Sequence, residues 1–171
     1  WHEEENVIVV TYRDGSNNQY GTIVAGTVSG STITWGTPLT FTNFYLDPSD
    51  IVYEPTNKKL MVQGHREDNN SYWDNRIYCF QFSCSGTTIT AEGNVTLDPN
   101  QRNNRCGNVV YRTGTTRVLC AHWYSTNMYV TAVNSGASSI GSAGSMSTIN
   151  TTGSLSSPYI VWDATNNRCV S

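Results

Sequence analysis

Residues 51–62 read IVYEPTNKKLMV, which is an apolar run, a short polar turn and a second apolar run. Ile, Val and Tyr favour strands, and Pro, Thr and Asn favour the tight turn between them. The same pattern returns as VVYRTGTTRVLC at 109–120 and as IVWDATNNRCVS at 160–171. The sequence therefore predicts three copies of one β-hairpin.

A second block of sequence recurs with a similar spacing. SGSTIT at 29–34 returns as SGTTIT at 85–90 and, more weakly, as SGASSI at 135–140. Two separate blocks that both recur every 50 to 58 residues indicate an internal structural repeat.

Each period of this repeat contains four strand-like runs. In the second period they are residues 51–54, 59–66, 76–83 and 87–97. Four antiparallel strands that recur about every 50 residues are typical of a β-propeller blade. We predict an all-β fold of propeller-like, four-stranded antiparallel blades. A β-solenoid-like stack of small sheets would give a similar pattern and stays open as the alternative.

The repeat spans the chain as one domain, residues 1–171, with an incomplete first and last period. The approximate periods are 1–49, 50–106, 107–157 and a partial fourth at 158–171. Val7–Arg13 aligns with Leu60–Arg66 at an offset of 53, so the first period lacks its opening strand. A closed propeller typically has about four to eight blades, so three periods predict further repeats or several chains.

An exposed strand edge is the predicted site of that assembly. The edge strand begins with Val7, Ile8, Val9 and Val10, a β-prone run with no Lys or Pro to prevent pairing with another chain. We therefore expect partners that are copies of this chain or further repeats of the same polypeptide.

The segment YGTIVAGTVSGSTITWGTPLTF at 20–41 resembles a repeat found in large surface proteins of aquatic viruses and microbes. Those proteins are tandem arrays of about 50-residue units, and they include virion fibre or appendage proteins and cell-surface proteins. The resemblance implies a propeller-like, exported structural or adhesive role. It supplies no catalytic residues, and the cysteines depart from the usual repeat.

Composition excludes several classes of function. Charged residues make up 13% of the 171 residues and the net charge is −3, so we expect no nucleic acid partner. No apolar run approaches the roughly 18 residues of a membrane span. We therefore predict no membrane insertion.

Cysteines and glycosylation sequons favour an extracellular location, on a cell-surface appendage or a virion. The five cysteines match no zinc-binding spacing, which leaves disulfides or buried, inert thiols. Cys106 and Cys120 flank the 109–120 hairpin and are the favoured disulfide pair. The candidate glycosylation sites are Asn69, Asn94 and Asn150, with Asn69 preferred because it lies in a polar loop.

No constellation of catalytic residues stands out, and we predict no metal and no cofactor. A glycosidase would need paired carboxylates, but the available ones sit mostly beside turns, where a solvated role is simpler. These are Asp14, Glu67, Asp68, Asp74 and Asp163, and the histidines His2, His65 and His122 are predicted to be packing or edge residues.

The leading hypothesis is a non-enzymatic structural module of an extracellular filament, fibre or surface appendage. A glycan-binding, lectin-like propeller is the alternative, with Trp73 and Trp123 as the sugar-contact aromatics, and surface glycans would then be partners. A glycoside hydrolase is the distant third possibility.

Overall fold

The structure, a computed structural model, describes residues 1–67, 76–98, 104–124, 127–150 and 158–170. These residues form thirteen strands and no helix, and all of the strand pairs are antiparallel. The predicted all-β class is therefore confirmed. Among the described residues, no helix is long and apolar enough to cross a bilayer. The strands are β1 (Val7–Asp14), β2 (Tyr20–Ser29), β3 (Thr32–Trp35), β4 (Leu39–Glu54), β5 (Lys59–Arg66), β6 (Ile77–Ser85), β7 (Thr88–Asp98), β8 (Asn104–Arg112), β9 (Arg117–Tyr124), β10 (Asn127–Asn134), β11 (Ser147–Asn150), β12 (Val161–Asp163) and β13 (Arg168–Val170).

The strands form four successive sheets along the chain. The first sheet contains β1, β2, β3 and the beginning of β4, and the second contains the end of β4 with β5, β6 and β7. The third sheet has the order β11-β10-β9-β8, and the fourth is the β12–β13 hairpin. The long strand β4 joins the first two sheets into one hydrogen-bonded path.

The three predicted hairpins have the same register. Tyr53 lies opposite Leu60, Tyr111 opposite Val118, and Trp162 opposite Cys169. The four strand runs predicted in the second period correspond to the end of β4 and to β5, β6 and β7. Their bounds agree within two residues, except that β4 begins far earlier, at Leu39.

The predicted alignment of β1 with β5 is wrong by one residue. Gly26 and Phe82 occupy equivalent positions before the two SG turns. Ile8 lies opposite Gly26, and Leu60 lies opposite Phe82. Leu60 therefore corresponds to Ile8, 52 residues earlier, and not to Val7. Because side chains alternate between the faces of a strand, one residue of slip exchanges the two faces. Val7 consequently faces the second sheet, and Ile8 faces away from it.

An apolar cluster fills the space between each pair of neighbouring sheets. The first cluster, between the first and second sheets, includes Val7, Val9, Ile23, Ala25, Leu60, Val62, Phe80 and Phe82. The second cluster joins the second and third sheets and includes Met61, Ile77, Cys79, Val109, Val118, Cys120 and Val133. The third cluster joins the third and fourth sheets and includes Ala121, Met128, Val110, Leu119, Ile160 and Cys169. The core therefore lies between sheets, and each inner sheet contributes its two faces to two different clusters.

Repeated polar clamps accompany the apolar clusters. The Asp50 carboxylate accepts a hydrogen bond from the Val109 amide at 3.0 Å. The equivalent Asn108 accepts from the Ile160 amide at 2.8 Å and donates to the Ile160 carbonyl at 2.7 Å. Each clamp satisfies backbone groups at the start of the next sheet, where an unpaired buried amide would be costly.

The third sheet departs from the repeat at its last turn. In the first two sheets the SG block forms a tight hairpin, and Gly30 and Gly86 have φ of 59° and 54°, which favours glycine. The corresponding residues of the third period, 135–140, form no strand, and β11 begins only at Ser147. Gln81 from the second sheet holds this segment instead, through hydrogen bonds with the Gly136 amide at 3.0 Å and the Gly136 carbonyl at 2.9 Å.

Candidate functional site

A groove of about 710 Å³ opens between the β1–β2 turn and the middle of β4. Its walls combine amide side chains, aromatic rings and one guanidinium group. The lining residues are Gly15, Ser16, Asn18, Gln19, Tyr20, Asn43, Phe44, Tyr45 and Arg66.

One wall of the groove is the turn that connects β1 to β2. The Asp14 carboxylate accepts hydrogen bonds from the Ser16 amide at 3.0 Å and the Ser16 hydroxyl at 2.6 Å, and the Gln19 amide donates to the Asp14 carbonyl at 2.9 Å. Asn18 and Gln19 have φ of 49° and 59°, in the left-handed region that Asn tolerates better than most residues. These bonds fix the conformation of the turn that forms this wall of the groove.

The other wall is an irregular stretch of β4. The register between β2 and β4 shifts between Tyr20 and Thr22, so part of β4 has no ladder partner on β2. The Thr42 hydroxyl replaces that pairing, since it accepts from the Gly21 amide at 2.8 Å and donates to the Phe44 carbonyl at 2.9 Å. Such irregularities redirect side chains and are common next to functional sites.

Two arginines lie over the aromatic rings at the groove. The Arg66 guanidinium carbon is 4.8 Å from the centre of the Phe44 ring, and that of Arg13 is 5.8 Å from the centre of the Tyr45 ring. Arg13 also forms a 3.5 Å ion pair with Glu67. The amide side chains that line the groove can hydrogen-bond a ligand rich in hydroxyl groups, such as a sugar.

The groove is not among the sites predicted from the sequence. The predicted sugar-contact residue Trp73 lies outside the described residues, and Trp123 lies elsewhere, on β9, half-buried and opposite Met128. The available signals were the polar turn at 14–19 and the Asn-Phe-Tyr run at 43–45. They are far apart in sequence, and only the β2–β4 pairing brings them together.

The predicted carboxylates that the structure describes, Asp14, Glu67 and Asp163, are not gathered into one acid–base pair. Asp14 is bonded within its turn, Glu67 pairs with Arg13, and Asp163 pairs with Arg168 at 3.3 Å. A hydrogen bond from the Asn166 side chain is the main cause that lowers the pKa of Asp163. Asp68 and Asp74 lie outside the described residues.

The histidines are packed side chains. His2 packs against Tyr53 with the rings tilted and their centres 4.4 Å apart, and His122 stacks against Tyr129 at 5.6 Å. Burial lowers the pKa of His65, and burial lowers that of His122 to about 4. In the described part of the chain, no three His, Cys, Asp or Glu side chains are grouped so that they could hold a metal ion.

All five cysteines carry free thiols, so the predicted Cys106–Cys120 disulfide is not formed in this structure. A register shift separates the two residues on β8 and β9, where Cys120 lies opposite Val109 and Cys106 opposite His122. The Cys120 thiol instead hydrogen-bonds with the Cys79 thiol across the second cluster, which together with burial raises the pKa of Cys120 well above its usual value. Oxidation of Cys106 with Cys120 remains a prediction.

Two of the three glycosylation sequons fall on outer strands. Asn94 is exposed on β7, an edge strand of the second sheet, and Asn150 ends β11, an edge strand of the third. Asn69, the preferred acceptor, lies outside the described residues.

The predicted assembly strand β1 is an edge strand of its sheet, and β2 is its only ladder partner among the described strands. Val7 and Val9 are buried in the first cluster, whereas Ile8 and Val10 point the other way. The start of the outer edge is partly covered because His2 forms a bridge with Val7, through hydrogen bonds of 2.9 and 3.4 Å.

Comparison of the chain with protein-family models, with curated proteins and with solved structures finds no match.

Proposed function

We propose that this protein is a non-enzymatic structural module of an extracellular filament, fibre or surface appendage. The observation that carries this proposal is the face-to-face packing of successive sheets, with an apolar cluster at each junction. Repeat proteins built in this way depend on contacts between neighbours, so they extend by adding units. The module would assemble with copies of itself or with further repeats of the same polypeptide.

For the arrangement of the sheets we propose propeller-like blades around a common axis. The contacts of β8 with β4 and with β12 support this arrangement, because these are the opening strands of successive sheets. The clamps from Asp50 and Asn108 connect the same strands. Electron microscopy of the assembled protein tests the proposal, since blades should give rings with a central opening, and rods without one would favour the solenoid-like stack.

Sedimentation velocity over a dilution series from micromolar to nanomolar concentration tests the assembly role. We expect species heavier than the 18.9 kDa chain at the higher concentrations, dissociating on dilution. A stable monomer throughout this range would overturn the proposal.

Glycan binding is the second candidate, favoured by the groove beside the β1–β2 turn. Its exposed Asn43 and its half-buried Tyr45 have the chemistry that sugar sites use. A glycan array decides between the two, because a pure building block should bind no sugar above background. If a glycan binds, Asn43→Ala and Tyr45→Ala should weaken it, whereas Thr32→Ala, outside the groove, should not.

A further inference from the structure

The first sheet has an apolar face that is partly exposed, although Val24 at its centre is only 7% exposed. The alternation of β1 places Val7 and Val9 in the first cluster and turns Ile8 and Val10 outward. The outer face, as we call it, consists of Ile8, Val10, Val24, Val28, Ile33 and Trp35, paired across β1, β2 and β3. Val28, Ile33 and Trp35 are 43%, 38% and 46% exposed. The outward positions of these three strands carry one charged residue, Asp14, at the end of β1.

Gly26 gives the outer face its flat centre. A Cβ atom at Gly26 would lie 2.8 Å from Trp35 Cε3 and 2.9 Å from Ile33 Cγ2, so both side chains lie directly over the glycine. The indole ring therefore lies across the sheet, a position that suits packing against another flat surface.

The register makes the outer face equivalent to a face that is buried elsewhere in the molecule. Pairs Val10–Val24 and Val28–Ile33 correspond to pairs Val62–Phe80 and Cys84–Ile89 of the second sheet. Val62, Phe80 and Ile89 are buried in the first cluster, against the first sheet. The outer face of the first sheet therefore corresponds in position and composition to the face of the second sheet that packs against the first sheet.

The fourth sheet carries the matching surface at the other end of the chain. Val161 lies opposite Val170, as Val110 lies opposite Leu119 and Val52 opposite Met61. Those two earlier pairs contribute to the third and second clusters, where they face the following sheet. Val161 and Val170 have no such cover from the described residues and are 49% and 42% exposed.

From this equivalence we infer that the outer face of the first sheet binds the Val161–Val170 face of the fourth sheet of a second copy, head to tail. The inference rests on the proposed assembly function and names its surface. Because the two faces differ, the contact is heterologous and builds a ring or an open filament. A second copy is the partner that fits this surface, because equivalent faces of neighbouring sheets already pack on each other at three junctions within one chain.

Packing through the outer face differs from strand addition at the β1 edge. Edge pairing would need the free backbone groups of β1, and the His2–Val7 bridge occupies the start of that edge. Face packing needs side chains instead, so substitution of single exposed side chains separates the two modes.

Sedimentation of Ile33→Lys and Val161→Lys, each compared with wild type, tests the contact. Both side chains are partly exposed, so the variants should keep wild-type circular dichroism, and each should weaken association by about tenfold or more. Thr34→Lys is the matched control, since Thr34 is exposed on the opposite face of β3 and should associate as wild type does.

A mixture of the two variants makes the test sharper. Each variant keeps one intact face, so the mixture should form a heterodimer of one copy of each and stop there. Wild-type association with no loss in the two variants would overturn the face contact and leave the assembly function standing. A monomeric wild type would instead overturn the assembly function and this inference with it.

Discussion

The outer face of the first sheet and the corresponding face of the second sheet have the same strand register but different surroundings. Ile33 and Ile89 are the same residue at equivalent positions, yet Ile33 is 38% exposed and Ile89 is 7% exposed. The cover over Ile89 comes from the first sheet, whereas Ile33 belongs to none of the three clusters. Burial at these positions is therefore decided by the neighbouring sheet and not by the local sequence.

The two faces also distribute their bulk differently. In the second sheet the large ring is Phe82 on β6, opposite the small Ala91 on β7. In the first sheet the small residue is Gly26 on β2, and the large ring opposite it is Trp35 on β3. Each of these two cross-strand pairs has one large and one small residue. Exchanging which strand carries the large residue therefore preserves the apolar face.

Matched Ile→Ala substitutions should give the largest difference between the faces. Ile89→Ala should lower the free energy of unfolding by about 2–5 kcal/mol, because it leaves a cavity in the first cluster. Ile33→Ala should cost about 1 kcal/mol or less at concentrations where the chain is monomeric. Urea denaturation measures both values, and equal losses would show that the outer face is covered within a single chain.

The pH dependence of the free energy of unfolding should show the burial of His122 in the third sheet. Burial lowers the pKa of His122 to about 4, while Asp98 acts in the opposite direction. The unfolded chain takes up this proton near its ordinary pKa of 6.5, so stability present above pH 6.5 should fall by about 3 kcal/mol as the pH drops to 4.

The control for that prediction is His122→Phe, which keeps a ring in the same place without a titrating group. Denaturation at a series of pH values should show that the stability of this variant falls less than that of wild type between pH 6.5 and 4. A variant with the same pH profile as wild type would assign the decline to other groups, such as His65.

The equivalent hairpin turns of the second and fourth sheets allow the same comparison between a covered and a partly exposed carboxylate. The fully buried Glu54 carboxylate accepts hydrogen bonds from the Thr56 amide at 2.6 Å and the Asn57 amide at 3.0 Å. Glu54→Ala should cost about 1–3 kcal/mol, because these amides lose their acceptor in a covered site. Asp163 has the same role in the exposed fourth-sheet hairpin, and Asp163→Ala should cost less in parallel thermal melts.

Thiol labelling gives the smallest effect, a difference in reactivity without a change in fold. Burial raises the pKa of Cys106 to about 12 and that of Cys84 to about 11, and Cys79 and Cys120 are fully buried. In the native, reduced protein Cys79, Cys106 and Cys120 should react more slowly than Cys169 and than an introduced Val10→Cys on the outer face. After denaturation without reductant, five reactive thiols would contradict the predicted disulfide.

The repeat made much of the fold predictable from the sequence. The hairpins at 51–62, 109–120 and 160–171 combine β-prone runs with turn residues, and these local preferences agree with the observed strands. The β1 alignment was wrong because Val7-Ile8-Val9-Val10 is apolar at every position, so its pattern does not say which face is inside. The groove was not predictable, since the β2–β4 register shift has no distinct sequence signal.

By itself, the sequence determined the all-β class, the repeat and the shared hairpin register, because local propensity and turn chemistry act over a few residues. Only the tertiary structure decided which apolar faces are covered, that the Cys120 thiol hydrogen-bonds with Cys79, and that the turn after Asp14 meets β4 at a groove. These outcomes depend on contacts between residues far apart in the chain. Such contacts form only when whole sheets pack on one another, so no short stretch of sequence carries them.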